Sequence, residues 1–239
     1  MQNTKRRNAY TKMVEKRLRI FWDVDTQNDF MNKDGALYVP DAEEIKLNLS
    51  SLTDYALNKL IPVIGSVDRH FGTEEYKQRE AELSRWGGPF PDHCMNGTPG
   101  QVKIIETNFE CRDSCAVYLE NRLDNALDEK HLRHALIEMR EPQIEHILIE
   151  KQHNDVFTNP NAEELLLRAR VKEAVVYGVA IDYCVKAAVL GMQKRGIQTY
   201  VVINAVRGIT SEGSHSALAE MINAGAKMVT TKDVLEGRI

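Results

Sequence analysis

Long hydrophobic runs, an excess of charge of one sign and a dense cysteine pattern are all missing from this chain of 239 residues. Its hydrophobic stretches are only as long as strands, so the sequence predicts no membrane-spanning helix and no membrane partner. The formal net charge of −4 gives no basic surface for nucleic acid. Four cysteines are too few for a disulfide scaffold in a chain of this size, and a reducing cytoplasm is therefore the expected compartment.

Motifs for common cofactors and redox reactions are missing as well. The chain has no G-x-G-x-x-G or Walker loop, which argues against a nucleotide cofactor. It has no C-x-x-C pair, and no cysteine is followed by the spaced arginine of a phosphatase loop. The apolar run after the basic N-terminal segment is too short for a signal peptide and is interrupted by Asp23. We therefore interpret residues 1–16 as a polar extension ahead of a single domain at 17–239.

Strand-like apolar runs alternate with helical patterns along most of the chain. Because strands separated by helices pair in parallel with right-handed crossovers, the sequence predicts one doubly wound, three-layer α/β domain with a central parallel sheet flanked by helices. Residues 72–100 are rich in glycine and proline and are expected to form a long functional loop. The predicted strands are 18–22, 61–67, 144–149, 174–177, 199–203 and 226–229, and the predicted helices are 41–60, 111–140, 159–168, a stretch from about 182, and 214–224.

Cys184 lies where a predicted strand passes into a helix. The apolar run at 174–177 breaks at Gly178, and helical periodicity begins near Asp182. Cys184 is therefore placed in the first helical turn, where unpaired N–H groups and the helix dipole favour a thiolate. In open α/β sheets this edge is also where ligands bind. An inert buried cysteine is the alternative interpretation.

Two further reactive residues follow predicted strands. Asp25 comes after the first strand and Lys151 after the strand at 144–149, so a parallel sheet brings both to the edge that carries Cys184. An ammonium lowers the pKa of a neighbouring thiol, and a carboxylate can take the thiol proton and return it to a leaving group. The three residues are therefore candidates for nucleophilic catalysis. A solvated lysine and an aspartate in a turn remain the alternatives.

A second group of polar residues has the composition of a cation site. Asp68 and His70 follow the second predicted strand, and alternation in extended chain directs both to one side. His93 on the long loop can supply a third ligand. Two imidazoles and a carboxylate with open positions suit zinc, iron or manganese. A competing site built on Cys94, Cys111 and Cys115 is disfavoured, because C-x3-C differs from the usual spacing of zinc knuckles.

Six short motifs between residues 18 and 235 resemble those of the isochorismatase-like cysteine hydrolases, and most closely the nicotinamidases among them. They occur in the order found in that family. The matching segments are D-T-Q-N-D-F at 25–30, G-A-L-Y-V-P at 35–40, D-R-H at 68–70, F-P-D-H-C at 90–94, D-Y-C-V-K at 182–186 and R-G-I at 207–209.

The resemblance implies an amidohydrolase that converts nicotinamide to nicotinate and ammonia through a cysteine thioester. It assigns the nucleophile to Cys184, the proton acceptor and donor to Asp25, and the cation that lowers the thiol pKa to Lys151. It also implies a cis peptide before Ala180, with the backbone N–H groups of Ala180 and Cys184 forming an oxyanion hole.

The same resemblance implies a divalent cation held by Asp68, His70 and His93, which binds the pyridine nitrogen of the substrate. Zinc is the first choice, with iron and manganese as alternatives. Phe30 and Phe90 match aromatic positions that sandwich the pyridine ring. The expected partner is a small-molecule amide, and assembly into homo-oligomers is a further expectation because family members often form them.

The chain departs from the family pattern in three places. No histidine lies within a few residues after the D-R-H motif, so Glu74, Glu80, Glu82 or water is left to complete the coordination. Asp23 stands where the family is usually apolar, and residues 101–140 take a different course that leaves the pocket rim unpredicted. Three alternatives therefore stay open: another amide, carbamoyl compound or ureide as substrate; a non-catalytic protein that kept the fold; and a metal hydrolase with a structural Cys184.

Overall fold

The computed structural model describes residues 18–108, 116–140 and 146–239. Within them, seven strands form one parallel sheet in the order β3-β4-β2-β1-β5-β6-β7. The strands are β1 (Leu18–Val24), β2 (Val63–Asp68), β3 (Ala116–Leu119), β4 (His146–Lys151), β5 (Val171–Val179), β6 (Gln198–Arg207) and β7 (Lys227–Val229).

Helices cover both faces of this sheet and enclose two hydrophobic cores. One core lies beneath α3 to α6, and the other lies beneath α1, α2, α7 and the loop that follows β2. None of the helices in the described ranges combines the length and apolar character needed to cross a bilayer. The helices are α1 (Asn28–Met31), α2 (Lys46–Asn58), α3 (Glu129–Glu138), α4 (Pro160–Ala169), α5 (Lys186–Lys194), α6 (Ser211–Asn223) and α7 (Thr231–Leu235).

Strand β1 shows why the sequence forms a buried parallel sheet. Ile20, Trp22 and Val24 pack into the core beneath α3 to α6, whereas Phe21 packs into the opposite core. A strand buried on both faces is apolar at successive positions rather than at alternate ones, as β1 is. β1 pairs with β2 and β5 and is therefore interior to the sheet. The side chains that follow its C-terminal end consequently lie near the middle of the reactive edge.

The predicted fold class is confirmed, and all six predicted strands are present. The prediction of a helix across 111–140 is wrong in part, because in the described part of this stretch, 116–140, Ala116–Leu119 forms the edge strand β3 and the helix covers only Glu129–Glu138. A four-residue apolar run among charged residues has too few positions to show a strand period. The predicted extension at 1–16 lies outside the described residues, as do Cys111 and Cys115.

Asp23 has a partner that its sequence context does not reveal. Lys103 Nζ lies 2.8 Å from Asp23 Oδ2, and both side chains are buried. The Thr26 hydroxyl donates to the same carboxylate at 2.9 Å. The Ile104 N–H also donates to the Thr26 carbonyl at 2.9 Å. The ion pair and this backbone hydrogen bond therefore hold the segment around Lys103 against the residues on both sides of Asp25.

Removing one member of this pair is expected to destabilise the fold strongly. Lys103→Met leaves the buried Asp23 carboxylate unpaired, which should cost about 3–5 kcal/mol of unfolding free energy in urea titrations. The double variant Asp23→Leu/Lys103→Met should recover most of that loss, because an apolar pair leaves no buried charge. Lys33→Met, which breaks an exposed ion pair with Glu43, is the control and should cause no measurable change. A Lys103→Met variant as stable as wild type would contradict this account.

Candidate active site

Three strand ends bring Asp25, Lys151 and Cys184 together. Asp25 directly follows β1 in a left-handed conformation with φ of 48°, and Lys151 is the last residue of β4. β5 leads into a single π-helical turn, Ile181–Val185, which carries Cys184 and continues as α5. Lys151 Nζ lies 2.9 Å from Asp25 Oδ2 and 3.4 Å from Cys184 Sγ. The arrangement is that of a nucleophile, a carboxylate and an ammonium in mutual contact.

Lys151 is fully buried and is surrounded by negative groups. It also donates to the Asp68 carboxylate. Burial alone would lower the pKa of Lys151, but the Asp25 and Asp68 carboxylates outweigh it and raise that pKa well above its ordinary value. Lys151 is therefore a permanent cation at neutral pH, placed between two carboxylates and the sulfur.

The charge state of the thiol follows from the same contacts. Burial raises the pKa of Cys184 well above its ordinary value, Lys151 opposes this rise, and Asp25 adds to it. Lys151 thus acts in the direction expected from the sequence without outweighing burial. Burial also raises the pKa of Asp25, against the influence of Lys151. The resting pair is a thiol beside a carboxylate of increased basicity, which is the arrangement a proton transfer from sulfur to oxygen requires.

Two side chains that the sequence analysis did not single out hold Asp25 and Asp68 in place. The Ser66 hydroxyl donates to Asp25 Oδ1 at 2.7 Å from the neighbouring strand β2. The Gln27 side chain binds the backbone of Asp68 twice, accepting its N–H and donating to its carbonyl, both at 2.7 Å. Gln27 lies within the D-T-Q-N-D-F segment, so a motif signal existed for it, whereas Ser66 had none.

The candidate cation ligands form a second cluster beside this set. One ligand atom from each of Asp68, His70, Glu82 and His93 lies within 4.8 Å of every other. The His70 N–H donates to the Cys94 carbonyl at 3.1 Å, which brings the loop carrying His93 against the end of β2. The structure therefore brings Asp68, His70 and His93 together, and their role as cation ligands stays a prediction.

Among the glutamates left open as a further ligand, Glu82 is the one in the cluster. Glu80 is buried, but its carboxylate accepts the backbone N–H groups of Phe71 and Gly72. Glu74 is exposed and pairs with Lys77. The long loop thus places Glu82 next to His70, with Oε1 3.7 Å from His70 Nε2.

The protonation of His70 and Asp68 suits a cation, whereas the raised pKa of Glu82 and the pKa of His93, which burial lowers but Asp68 raises more, favour a bound proton. Burial lowers the pKa of His70 to about 4, so its ring is neutral at pH 7 and able to ligate. Burial and the Asp68 charge raise the pKa of Glu82 to about 7. Burial alone would raise the pKa of Asp68, but Lys151 and the imidazoles hold it well below its usual range. Neither ring nitrogen of His70 has a hydrogen-bond partner within the described residues, although both are buried.

Two imidazoles and two carboxylates are a donor set that zinc, iron and manganese accept. The His93 ring is already oriented for this use, because its Nδ1 lies 2.8 Å from the Pro91 carbonyl. That contact places the ring hydrogen on Nδ1 and leaves Nε2, 3.8 Å from Asp68 Oδ2, as the ligating atom. The residues present therefore fit a divalent cation.

One pocket joins the catalytic set to the cation cluster. It encloses about 380 Å³ of space between protein atoms, part of it open to solvent, and such a size suits a small molecule. Phe30 and Phe90 both line it, and the Phe90 ring meets Tyr183 edge-on at 5.4 Å between centroids. Ala180 and Cys184 also line it, and the peptide bond before Ala180 is cis, as the resemblance implies.

Six pocket residues were missed by sequence reasoning. Four lie inside segments that match family motifs, so a signal was present, and the other two, at the end of β5 and on the loop after β4, had none. The missed residues are Leu37, Val39, Tyr183 and Ile209, and then Val179 and Asn154.

Comparison with known proteins gives a consistent set of relatives. The isochorismatase domain family matches residues 23–233. The nicotinamidase of Escherichia coli strain K12 is 26% identical over 230 residues, covering 88% of this chain and 93% of the relative. The nicotinamidase/pyrazinamidase of Mycobacterium tuberculosis is 24% identical over 213 residues, covering 86% of this chain and 95% of the relative.

Solved structures show the same similarity. The crystal structure of the Pyrococcus horikoshii pyrazinamidase in complex with zinc superposes with a TM-score of 0.67 at 25% identity. The match covers 89% of this chain and 99% of that one. The nicotinamidase/pyrazinamidase of Bacillus subtilis also superposes with a TM-score of 0.67, at 22% identity, which supports the fold.

Proposed function

Because the chain belongs to the isochorismatase domain family and is an amidohydrolase, we propose that it hydrolyses nicotinamide to nicotinate and ammonia. One observation carries the proposal: a single pocket is lined both by Cys184 and Asp25, which contact Lys151, and by Asp68, Glu82 and His93 of the cation cluster. The first group suits attack on an amide, and the second suits recognition of a ring nitrogen through a cation. A substrate with a carboxamide on a pyridine ring uses both.

The reaction begins with proton transfer from Cys184 to Asp25. The sulfur then forms a bond to the carboxamide carbon, and the oxygen becomes negative within reach of the N–H groups of Ala180 and Cys184. Asp25 returns the proton to the nitrogen as the C–N bond breaks, so ammonia leaves and a thioester remains. Lys151 stays protonated throughout and balances the negative charge that moves between sulfur and oxygen.

Water completes the cycle by the reverse proton path. Asp25 takes a proton from a water molecule as the water oxygen attacks the thioester carbon. The C–S bond then breaks and Asp25 returns its proton to the Cys184 sulfur. The acid product loses its own proton to solvent and leaves as nicotinate. Asp25 can serve both half-reactions because Ser66 and Lys151 fix its two oxygens beside the sulfur.

In this proposal Asp68, His70, Glu82 and His93 hold a divalent cation, zinc first, with iron or manganese as alternatives. The bound cation supplies a Lewis-acid anchor for the pyridine nitrogen. Phe30 and Phe90 contribute apolar contact to the ring from the pocket wall. The zinc-bound pyrazinamidase of Pyrococcus horikoshii supports a divalent metal here. Pyridine-nucleotide salvage is the proposed role, while a cytoplasmic location and self-association stay predictions.

A comparison of substrates tests the proposal. We expect nicotinamide and pyrazinamide to be hydrolysed, and benzamide, which lacks a ring nitrogen, to lose at least ~10²-fold in kcat/KM. Ureides and carbamoyl compounds without a pyridine ring should be poor substrates, since they offer neither the flat aromatic ring for Phe30 and Phe90 nor the ring nitrogen for the cation. Faster turnover of a ureide than of nicotinamide would contradict the proposal and favour the alternative substrate class.

Substitution of Glu82 tests whether this residue, rather than another glutamate of the loop, is the fourth cation ligand. Glu82→Gln should weaken Zn²⁺ binding by at least ~10-fold, because an anionic ligand is lost from the cluster. Competition with a chromogenic chelator measures the affinity. Glu74→Gln makes the same chemical change on the exposed part of the loop and should bind Zn²⁺ like wild type. The reverse result would assign the fourth ligand position to Glu74.

A further inference from the structure

Glu80 faces the one ring nitrogen of the cation cluster that has no assigned role. Its side chain is fully buried, and its Oε1 lies 3.8 Å from His70 Nδ1. The other ring nitrogen, Nε2, faces Glu82 at 3.7 Å. The His70 ring is therefore placed between two carboxylates, of which one belongs to the cluster and the other does not.

The chemistry of a neutral imidazole distinguishes these two carboxylates. Such a ring carries one N–H and one bare nitrogen, and only the bare nitrogen can bind a cation. If Nε2 is to ligate beside Glu82, the hydrogen must be on Nδ1, where it needs a buried acceptor. His93 meets the same need through the Pro91 carbonyl, 2.8 Å from its Nδ1. Glu80 is the carboxylate that faces Nδ1 of His70.

Glu80 is itself held firmly in place. Its two oxygens accept the N–H groups of Phe71 at 2.6 Å and Gly72 at 2.9 Å, the residues that directly follow His70. Its own N–H donates to the Tyr76 carbonyl at 2.9 Å. The Glu80 carboxylate is thus held by the backbone N–H groups that follow His70, and it lies beside the His70 ring. A closure of roughly 1 Å between Oε1 and Nδ1 would complete a hydrogen bond.

We propose that Glu80 is a positioning residue: it accepts the Nδ1–H of His70 and keeps Nε2 bare and directed at Asp68, Glu82 and His93. The proposal rests on the metal site of the proposed function. Carboxylates behind ligating histidines fix the tautomer and raise the basicity of the ligating nitrogen. Glu80 is on this account an outer partner of the cation site rather than one of its ligands.

The test uses full-length, metal-free protein and two readouts. We expect ¹⁵N NMR of the His70 ring to show the hydrogen on Nδ1 in wild type. Glu80→Gln should weaken Zn²⁺ binding roughly 10–100-fold in chelator competition, and should shift His70 away from the Nδ1–H form. Glu75→Gln, the same change at an exposed position of the loop, should alter neither readout.

Three results would overturn the proposal. They are Zn²⁺ binding by Glu80→Gln within twofold of wild type, lowered affinity with an unchanged His70 tautomer, and a wild-type ring that carries its hydrogen on Nε2. The third result comes from wild-type protein, so it can be obtained even where Glu80→Gln does not fold. Neither readout depends on nicotinamide turnover, so absent hydrolysis with normal Zn²⁺ binding contradicts the proposed function and leaves the role of Glu80 standing.

Discussion

Replacing Cys184 with alanine is expected to lower kcat for nicotinamide by about 10⁴–10⁶-fold, the scale seen when a catalytic nucleophile is removed. Without sulfur no thioester can form, and Asp25 has no thiol proton to accept. Binding should persist, because the ring contacts and the cation cluster do not include the sulfur. Steady-state ammonia release measures the loss, and Zn²⁺ affinity and the urea midpoint confirm that the variant is folded.

Cys94 offers a matched control for this change. It is the other cysteine within the described residues, and it is buried, which raises the pKa of its thiol well above the ordinary value. Its sulfur contacts the Gly100 carbonyl at 3.9 Å and lies outside the pocket lining. Cys94→Ala should keep kcat within a few-fold of wild type. Normal turnover by Cys184→Ala would instead support a metal hydrolase in which Cys184 is structural.

Lys151→Met is expected to damage stability and catalysis together. The substitution leaves Asp25 and Asp68 facing each other without the ammonium that now lies between them. Loss of one partner from a buried ionic group costs about 3–5 kcal/mol of unfolding free energy. The pKa of Asp25, already raised by burial, should rise further, so the residue becomes protonated and cannot accept the thiol proton. We expect kcat to fall by at least ~10³-fold.

The control for Lys151 is Lys186, on the helix that follows Cys184. Its ammonium pairs with Glu220 at 3.2 Å on a partly exposed surface. Lys186→Met should cost about 0–1 kcal/mol and leave turnover unchanged. Urea unfolding and ammonia release on the same samples give both results. A Lys151→Met enzyme with wild-type kcat would remove the ammonium from the mechanism, whatever its stability.

The catalytic set could be predicted because its members are tied to strand ends. A parallel sheet gathers the residues after its strands at one edge, so the positions of Asp25, Lys151 and Cys184 in the sequence were enough to bring them together. The same argument applied to Asp68, the last residue of β2, and to His70, two residues beyond it. No knowledge of the loops was needed for these contacts.

Residues held by long-range loop contacts could not be predicted in this way. Three glutamates of one irregular loop were equivalent in sequence, and only its folded course directs Glu82 inward and Glu80 behind His70. The partner of Asp23 is Lys103, far along the chain in a segment without periodicity. β3 was missed because four residues are too short to show alternation.

Measuring the nicotinate and ammonia that zinc-loaded wild-type protein releases from nicotinamide tests the central claim most directly. We expect the two products in equal amounts over many turnovers, with release abolished in Cys184→Ala prepared and loaded in parallel. Absence of ammonia from a folded, Zn²⁺-bound wild-type protein would contradict nicotinamide as the substrate. Undiminished release by Cys184→Ala would contradict the thiol as the nucleophile.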